Sequence, residues 1–181
     1  MNVILISGKA QHGKDSSANI LKSLMEKDKK QVLIAHYGDM VKYVSKVFWG
    51  WNGEKDEVGR TILQQVGTNI VRKEKPNYWV DFVKDFVCFS KDRWDYVLIP
   101  DVRFPNEVNR WRNIDGIDYI SIRVSRTNFN SPLTEEQQNH PSETALDNWR
   151  FDYNIIAENM NELECEVNKF YELLKDGDEY K

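Results

Sequence analysis

Apolar residues fall along the chain in two alternating rhythms. Asn2, Val3, Ile4, Leu5, Ile6 and Ser7 form a short, largely β-branched run, the pattern of a strand buried on both faces. Ala18, Leu21, Leu24 and Met25 then recur at helical spacing until the charged run at 26–30. Val32, Leu33, Ile34 and Ala35 predict a second strand, and Val41, Val44, Val47 and Phe48 a second helix. Positions 49–57 mix glycine and asparagine with charges and predict a loop. Two further one-faced helices follow: Ile62, Leu63, Val66 and Ile70, then Trp79, Phe82, Val83, Phe86 and Val87 after Pro76. The runs at 96–99 (closed by Pro100), 118–124 and 153–157 predict strands three to five, and Leu163, Val167, Phe170 and Leu174 a closing helix. Short apolar strands alternating with helices predict an α/β fold with a five-stranded, mostly parallel sheet covered on both faces. Repeats and linkers are absent, so one domain over 1–181 is expected. Only 127–150 breaks the rhythm. It is polar, holds Pro132 and Pro141, carries a possible helix cap in Thr134-x-x-Gln137, and is expected to be a lid or flap.

Charge and cysteine content narrow the function classes. A net charge of −4 argues against a general nucleic-acid binder and requires any anion site to be a local cluster. Cys88 and Cys165 fit no ligand spacing and are expected to be reduced thiols. There is no signal-like stretch at the N-terminus and no apolar run near 18 residues, so a cytosolic protein is expected.

The first strand runs into Gly8-Lys9-Ala10-Gln11-His12-Gly13-Lys14-Asp15-Ser16, and a helix begins at once. This is G-x-x-x-x-G-K in the strand–loop–helix setting that gives it meaning. The glycines let the loop turn N–H groups inward, the helix N-terminus adds partial positive charge, and Lys14 adds a full one, together a cradle for nucleotide phosphates. The position that usually holds a magnesium-binding hydroxyl is Asp15, a carboxylate that can hold the metal directly or through water.

Strand three delivers Asp101, Arg103 and Glu107 to the sheet edge that carries the loop. An acid there suits metal-bound water or an acceptor hydroxyl, and an arginine suits phosphate oxygens; helix capping and solvated surface are the plainer roles. Arg123 and Arg126 flank the end of strand four, where they could reach phosphates when the lid closes or simply face solvent. Lys42 stays open between an acceptor-side cation and a surface residue. Arg60 and Gln64 share a polar helix face, ordinarily solvent-facing, and Trp79 lies on an apolar stripe, ordinarily core. His12, His36 and His140 are scattered, and no histidine-based nucleophile or metal site follows from them.

With those residues in place, the chain resembles the deoxynucleoside monophosphate kinases of tailed bacteriophages, a branch of the P-loop kinases. The resemblance rests on the Gly8 to Asp15 loop with its Gly-Lys-Asp ending and on Leu63-Gln64-x-x-Gly67-Thr68. Tyr78-Trp79, Pro100-Asp101-x-Arg103-x-x-Asn106-Glu107 and His140-Pro141-Ser142-Glu143 complete it. It implies a three-layer α/β/α P-loop kinase fold. It also implies transfer of the ATP γ-phosphoryl group to a (deoxy)nucleoside monophosphate with Mg²⁺, in a host cytoplasm if phage-encoded. By resemblance Gly8, Ala10, Gln11, His12, Gly13, Lys14, Asp15 and Ser16 hold the ATP phosphates, with Asp15 and Asp101 supporting the metal. Lys14, Arg103, Arg126 and Asp101 then form the catalytic set. The resemblance implies that the acceptor meets Arg60, Gly67, Thr68, Trp79, Asp101, Arg103 and Glu107 and that His140 to Glu143 belong to the lid; the reading of the residues themselves adds Lys42 and Gln64 on the acceptor side and Arg123 and Arg126 at the lid. The chain is short for the family, which leaves acceptor choice open, and a homodimer stays open too. A P-loop kinase of another small phosphorylated metabolite and a non-catalytic nucleotide-binding switch are the alternatives.

Overall fold

Strands β1 (Asn2–Ser7), β2 (Val32–Ile34), β3 (Tyr96–Val102), β4 (Asp118–Arg126) and β5 (Tyr153–Ala157) form one sheet in the order β2-β3-β1-β4-β5. Every pairing in it is parallel. The computed structural model describes residues 1–54 and 56–176. Lys55, in the expected 49–57 loop, and 177–181, the end of the expected 1–181 domain, lie outside the described residues. The helices are α1 (Lys14–Lys27), α2 (Gly38–Phe48), α3 (Glu57–Gln64), α4 (Val71–Glu74), α5 (Tyr78–Phe89), α6 (Pro105–Asn109), α7 (Glu135–Gln138), α8 (Pro141–Thr144) and α9 (Met160–Asp176). The α/β class and the five-stranded parallel sheet are as the sequence pattern implies.

Two compact units divide the chain. One comprises 1–35 and everything from Ser90 onward, with the whole sheet; the other is the helical stretch 36–89. In the sheet unit, α1 and α9 pack on one face, where Ile4, Ile6, Leu21, Met25, Ile122, Ile155, Val167 and Phe170 form the core. The opposite face is equally dry, with Val3, Leu5, Val97 and Ile99 fully buried, which is why these strands read as unbroken apolar runs. Burial of each such side chain contributes about 1.5–3 kcal/mol.

Several elements depart from the sequence expectation. Strand β3 does not close at Pro100 but continues through Asp101 to Val102. Pro100 has the parity of Leu98, whose carbonyl accepts Ala35 N–H from the β2 side. Because β2 ends at Ile34, the missing proline N–H has no ladder partner to disappoint. Strand β4 runs two residues further than expected and ends on Arg126. In the helical unit, α3 passes into a π-helical turn over Gln65–Ile70 before α4, a change of period that apolar spacing does not encode. The apolar face of α5 is also only half covered: Trp79, Val80, Val83 and Val87 are buried, whereas Phe82, Phe86 and Phe89 are exposed.

Candidate active site

The glycine loop leaves the middle strand of the sheet. Gly8 has φ +156°, and a Cβ there would press on the Val124 carbonyl oxygen. Gly13 has φ +95°, and its Cβ would stand 2.9 Å from Leu163 Cδ2. Neither position tolerates an ordinary L-residue, so the loop's course follows from its two glycines. Gly13 precedes the first turn of α1 and supplies no side-chain cap, which leaves the helix N-terminus suited to an external anion. Lys14 is only 6% exposed, and its ammonium donates to the Lys9 carbonyl at 2.6 Å. Burial pushes its pKa down to about 7, the Arg103 guanidinium lowers it further, and the carboxylates of Glu143, Asp15 and Asp101 oppose the fall.

Arg103 and Glu107 come from the turn after β3. Glu107 is 1% exposed, and its Oε2 accepts the N–H groups of Arg103 at 2.5 Å and Phe104 at 2.9 Å. That oxygen is engaged in shaping the turn and orienting Arg103. The Arg103 guanidinium Nη1 donates to Glu143 Oε1 and to the Ser142 carbonyl at 3.2 Å. Glu143 Oε2 in turn accepts Ala10 N–H of the loop at 2.8 Å. Asp147, one helical turn on, pairs with Lys9 at 3.1 Å and with Arg123 at 3.0 Å, and Arg123 also donates to Ser7 Oγ at 3.2 Å. His140 caps α8 by accepting Ser142 N–H at 3.2 Å. Its pKa is lowered, chiefly by burial, with Glu143 opposing and Arg103 reinforcing the shift.

Arg126 sits on another side of the loop. Its N–H donates to His12 Nδ1 at 3.1 Å, its Nε to the Glu158 carbonyl at 3.2 Å, and its guanidinium lies 4.6 Å from the Phe129 ring centre. Burial, and then the charge of Lys14, lower the pKa of His12, which favours the neutral ring that accepts this bond. With Gln11, Gly13, Ser16 and Glu158, Arg126 and His12 line a cavity of about 190 Å³. Sequence reasoning missed Phe129, Asp147, Ser7 and Glu158. Asp147 had one available signal, its i, i+4 spacing from Glu143.

The helical unit, considered by itself, holds the other expected acceptor residues. Asp56 caps α3, which carries Arg60 and ends on Gln64. Gly67 and Thr68 lie in the π turn, and a Cβ on Gly67 would stand 3.1 Å from Val41 Cγ1. Trp79 is 1% exposed and donates from Nε1 to the Gly67 carbonyl at 3.0 Å, so the indole supports this turn from behind. Lys42 pairs with Asp39 at 2.7 Å on the surface of α2.

Among the described residues, no group of three or more His, Cys, Asp or Glu side chains could enclose a metal. Magnesium in phosphate sites commonly takes one or two carboxylates, several waters and the phosphates themselves. Asp15 and Asp101, both close enough to act on Lys14, fit that sparse donor set.

A glycine loop on the central strand, a buried lysine at its helix and five parallel strands define a P-loop kinase fold. No family model matches the chain. The deoxynucleoside-5'-monophosphate kinase of Escherichia phage T5 is 29% identical over 117 residues, which cover 63% of this chain and 46% of that protein. The chain thus aligns with less than half the length of that curated relative. The resemblance read from the motifs is borne out by this match. Solved structures of the Mycobacterium tuberculosis APS kinase CysC share the fold at 12% identity. One has a TM-score of 0.56 and covers 96% of both chains. Another, in complex with AMPPNP and APS, has a TM-score of 0.55 and covers 96% of this chain and 97% of that one. Among the described residues, no helix is long and apolar enough to cross a membrane.

Proposed function

We propose that the protein transfers the γ-phosphoryl group of ATP to a deoxynucleoside monophosphate, giving the diphosphate. The observation that carries this reading is a pair of cations. Lys14 and Arg103 stand close enough for one to depress the pKa of the other, in a half-dry place at an uncapped helix N-terminus. Such an arrangement calls for a highly anionic ligand. The match to the phage T5 enzyme supports a nucleotide acceptor.

In this reading the loop amides and Lys14 hold the donor phosphates, while Arg103 spreads charge over the migrating group. Arg126, with Phe129 beside it, flanks the donor's base in the 190 Å³ cavity. Arg60, Gln64, Gly67 and Thr68 take the acceptor, with Trp79 stiffening the turn that presents Gly67, and Lys42 adds a cation on the same unit. Asp15 and Asp101 would hold Mg²⁺, which neutralises phosphate charge when bound. Little covalent chemistry is asked of the side chains. Positioning and charge neutralisation supply the rate.

ADP release is to be followed with ATP, Mg²⁺ and each common deoxynucleoside or nucleoside monophosphate in turn. Turnover with a subset of the deoxynucleotides, lost by about 10²-fold or more in Lys14→Ala, is the expected result. Measurable ATP binding with no turnover on any monophosphate would overturn the assignment.

A further inference from the structure

Resting on the reading of the loop as a phosphate site, we propose that Glu143 is an internal phosphate surrogate: its carboxylate occupies the loop until a donor phosphate displaces it. The two Glu143 oxygens are divided between a loop amide, Ala10 N–H at 2.8 Å, and the guanidinium of Arg103. These are the two donor types that phosphoryl oxygens use, and a planar guanidinium accepts either anion in the same geometry. The Glu143 side chain is only 9% exposed, so the contact is drier than an ordinary surface ion pair.

The charge logic explains why a carboxylate would sit there. Without an anion between them, Arg103 and Lys14 would face each other in a partly buried place with only Asp15 and Asp101 left to offset the charge on Lys14, which is costly. Glu143 relieves both, since its charge also acts on Lys14. Asp147, four residues on, does the same for Lys9 and Arg123 at the outer edge of the loop. The segment carrying both acids is thus held down through groups that a triphosphate needs. Phosphate arrival and release of the segment are competing events.

This differs from a fixed structural anchor in the sign of one effect. If Glu143 were only an anchor, neutralising it would weaken anion binding or leave it unchanged. If it is a surrogate, neutralising it removes a competitor. Inorganic tripolyphosphate, titrated calorimetrically into wild type, Glu143→Gln and Glu143→Asp at low salt, separates the two without needing any acceptor or turnover. Glu143→Gln is isosteric and keeps an oxygen for Ala10 N–H. It is expected to bind tripolyphosphate about tenfold or more tightly, the worth of a lost charge-assisted hydrogen bond. The tripolyphosphate-induced rise in Tm should grow to match. Glu143→Asp keeps the competing charge and should show no such gain. Equal or weaker binding by Glu143→Gln, with the wild type still binding, overturns the surrogate and leaves the phosphate site standing. No binding by wild type or variant overturns the phosphate-site reading and the surrogate with it.

Discussion

Replacing Lys14 by methionine should make the free protein more stable while ending phosphate transfer. The fall of the Lys14 pKa from 10.5 to about 7 means that the fold disfavours the charged amine. Each pKa unit is worth about 1.4 kcal/mol, so the full penalty is roughly 5 kcal/mol. At pH 6 the lysine is protonated in both folded and unfolded chains, and the whole penalty is present. Above about pH 7 the folded chain releases the proton while the unfolded chain keeps it to about 10.5, so the penalty shrinks as pH rises. By pH 9 roughly 2 kcal/mol is left. Methionine keeps the length and apolar stem but forfeits the hydrogen bond to the Lys9 carbonyl, about 1 kcal/mol. The net gain for Lys14→Met is then roughly 4 kcal/mol at pH 6 and about 1 kcal/mol at pH 9. Urea unfolding of both proteins at the two pH values measures it, and shared titrating groups largely cancel in the difference. A variant less stable than wild type at pH 6, or a gap that does not narrow by pH 9, would refute the electrostatic account of this lysine.

The same titration gives ligand binding a pH dependence. Tripolyphosphate or ATP favours the charged amine, so binding should take up protons near pH 8 and affinity should fall as pH rises through about 7; calorimetry in buffers of different ionisation enthalpy reads this directly. Glu107→Ala leaves the Arg103 and Phe104 amides without their shared acceptor in a buried turn, and should lower the unfolding free energy by about 2–4 kcal/mol in urea titrations. Gly8→Ala drives a Cβ against the Val124 carbonyl at a positive φ, and should cost at least about 1–3 kcal/mol in the same assay along with phosphate affinity. Arg126→Ala should raise the KM for ATP about threefold to fivefold with kcat nearly unchanged, the scale of a partly exposed cation–π contact; a kcat loss at constant KM would place Arg126 at the transferring phosphate instead.

Legibility in the sequence followed local physics. Strands buried on both faces announce themselves as unbroken runs, so β1 and β3 are legible in Val3 to Ile6 and Val97 to Ile99, whereas β4 and the edge strand β5, with Ile156 exposed, show as shorter apolar stretches broken by polar residues. The loop was visible because two glycines and a lysine serve a geometry that few other residues can meet. Pro100 misled, because a proline seems to end a strand unless the end of its neighbour is known. Trp79 and Glu107 carry site motifs yet turn inward, one to the Gly67 carbonyl and the other to two amides, a direction that periodicity alone cannot assign. The contacts of Glu143 and Asp147 with the loop span more than 130 residues of chain, and nothing local to either end specifies them.

The route from β2 to β3 has a consequence for how such a chain can change. These strands are parallel neighbours, Val32 beside Tyr96 and Ile34 beside Leu98, so the chain must travel back along the sheet between them. A crossover of about a dozen residues is enough for that return. Here the chain between the two strands includes the whole helical unit, 36–89. Most of its length is therefore surplus to connectivity. Insertions, deletions and new side chains in that surplus can be sampled without altering the register of a single strand. If the acceptor binds there as proposed, substrate preference could drift over generations while the glycine loop, anchored in the central strand, keeps its shape.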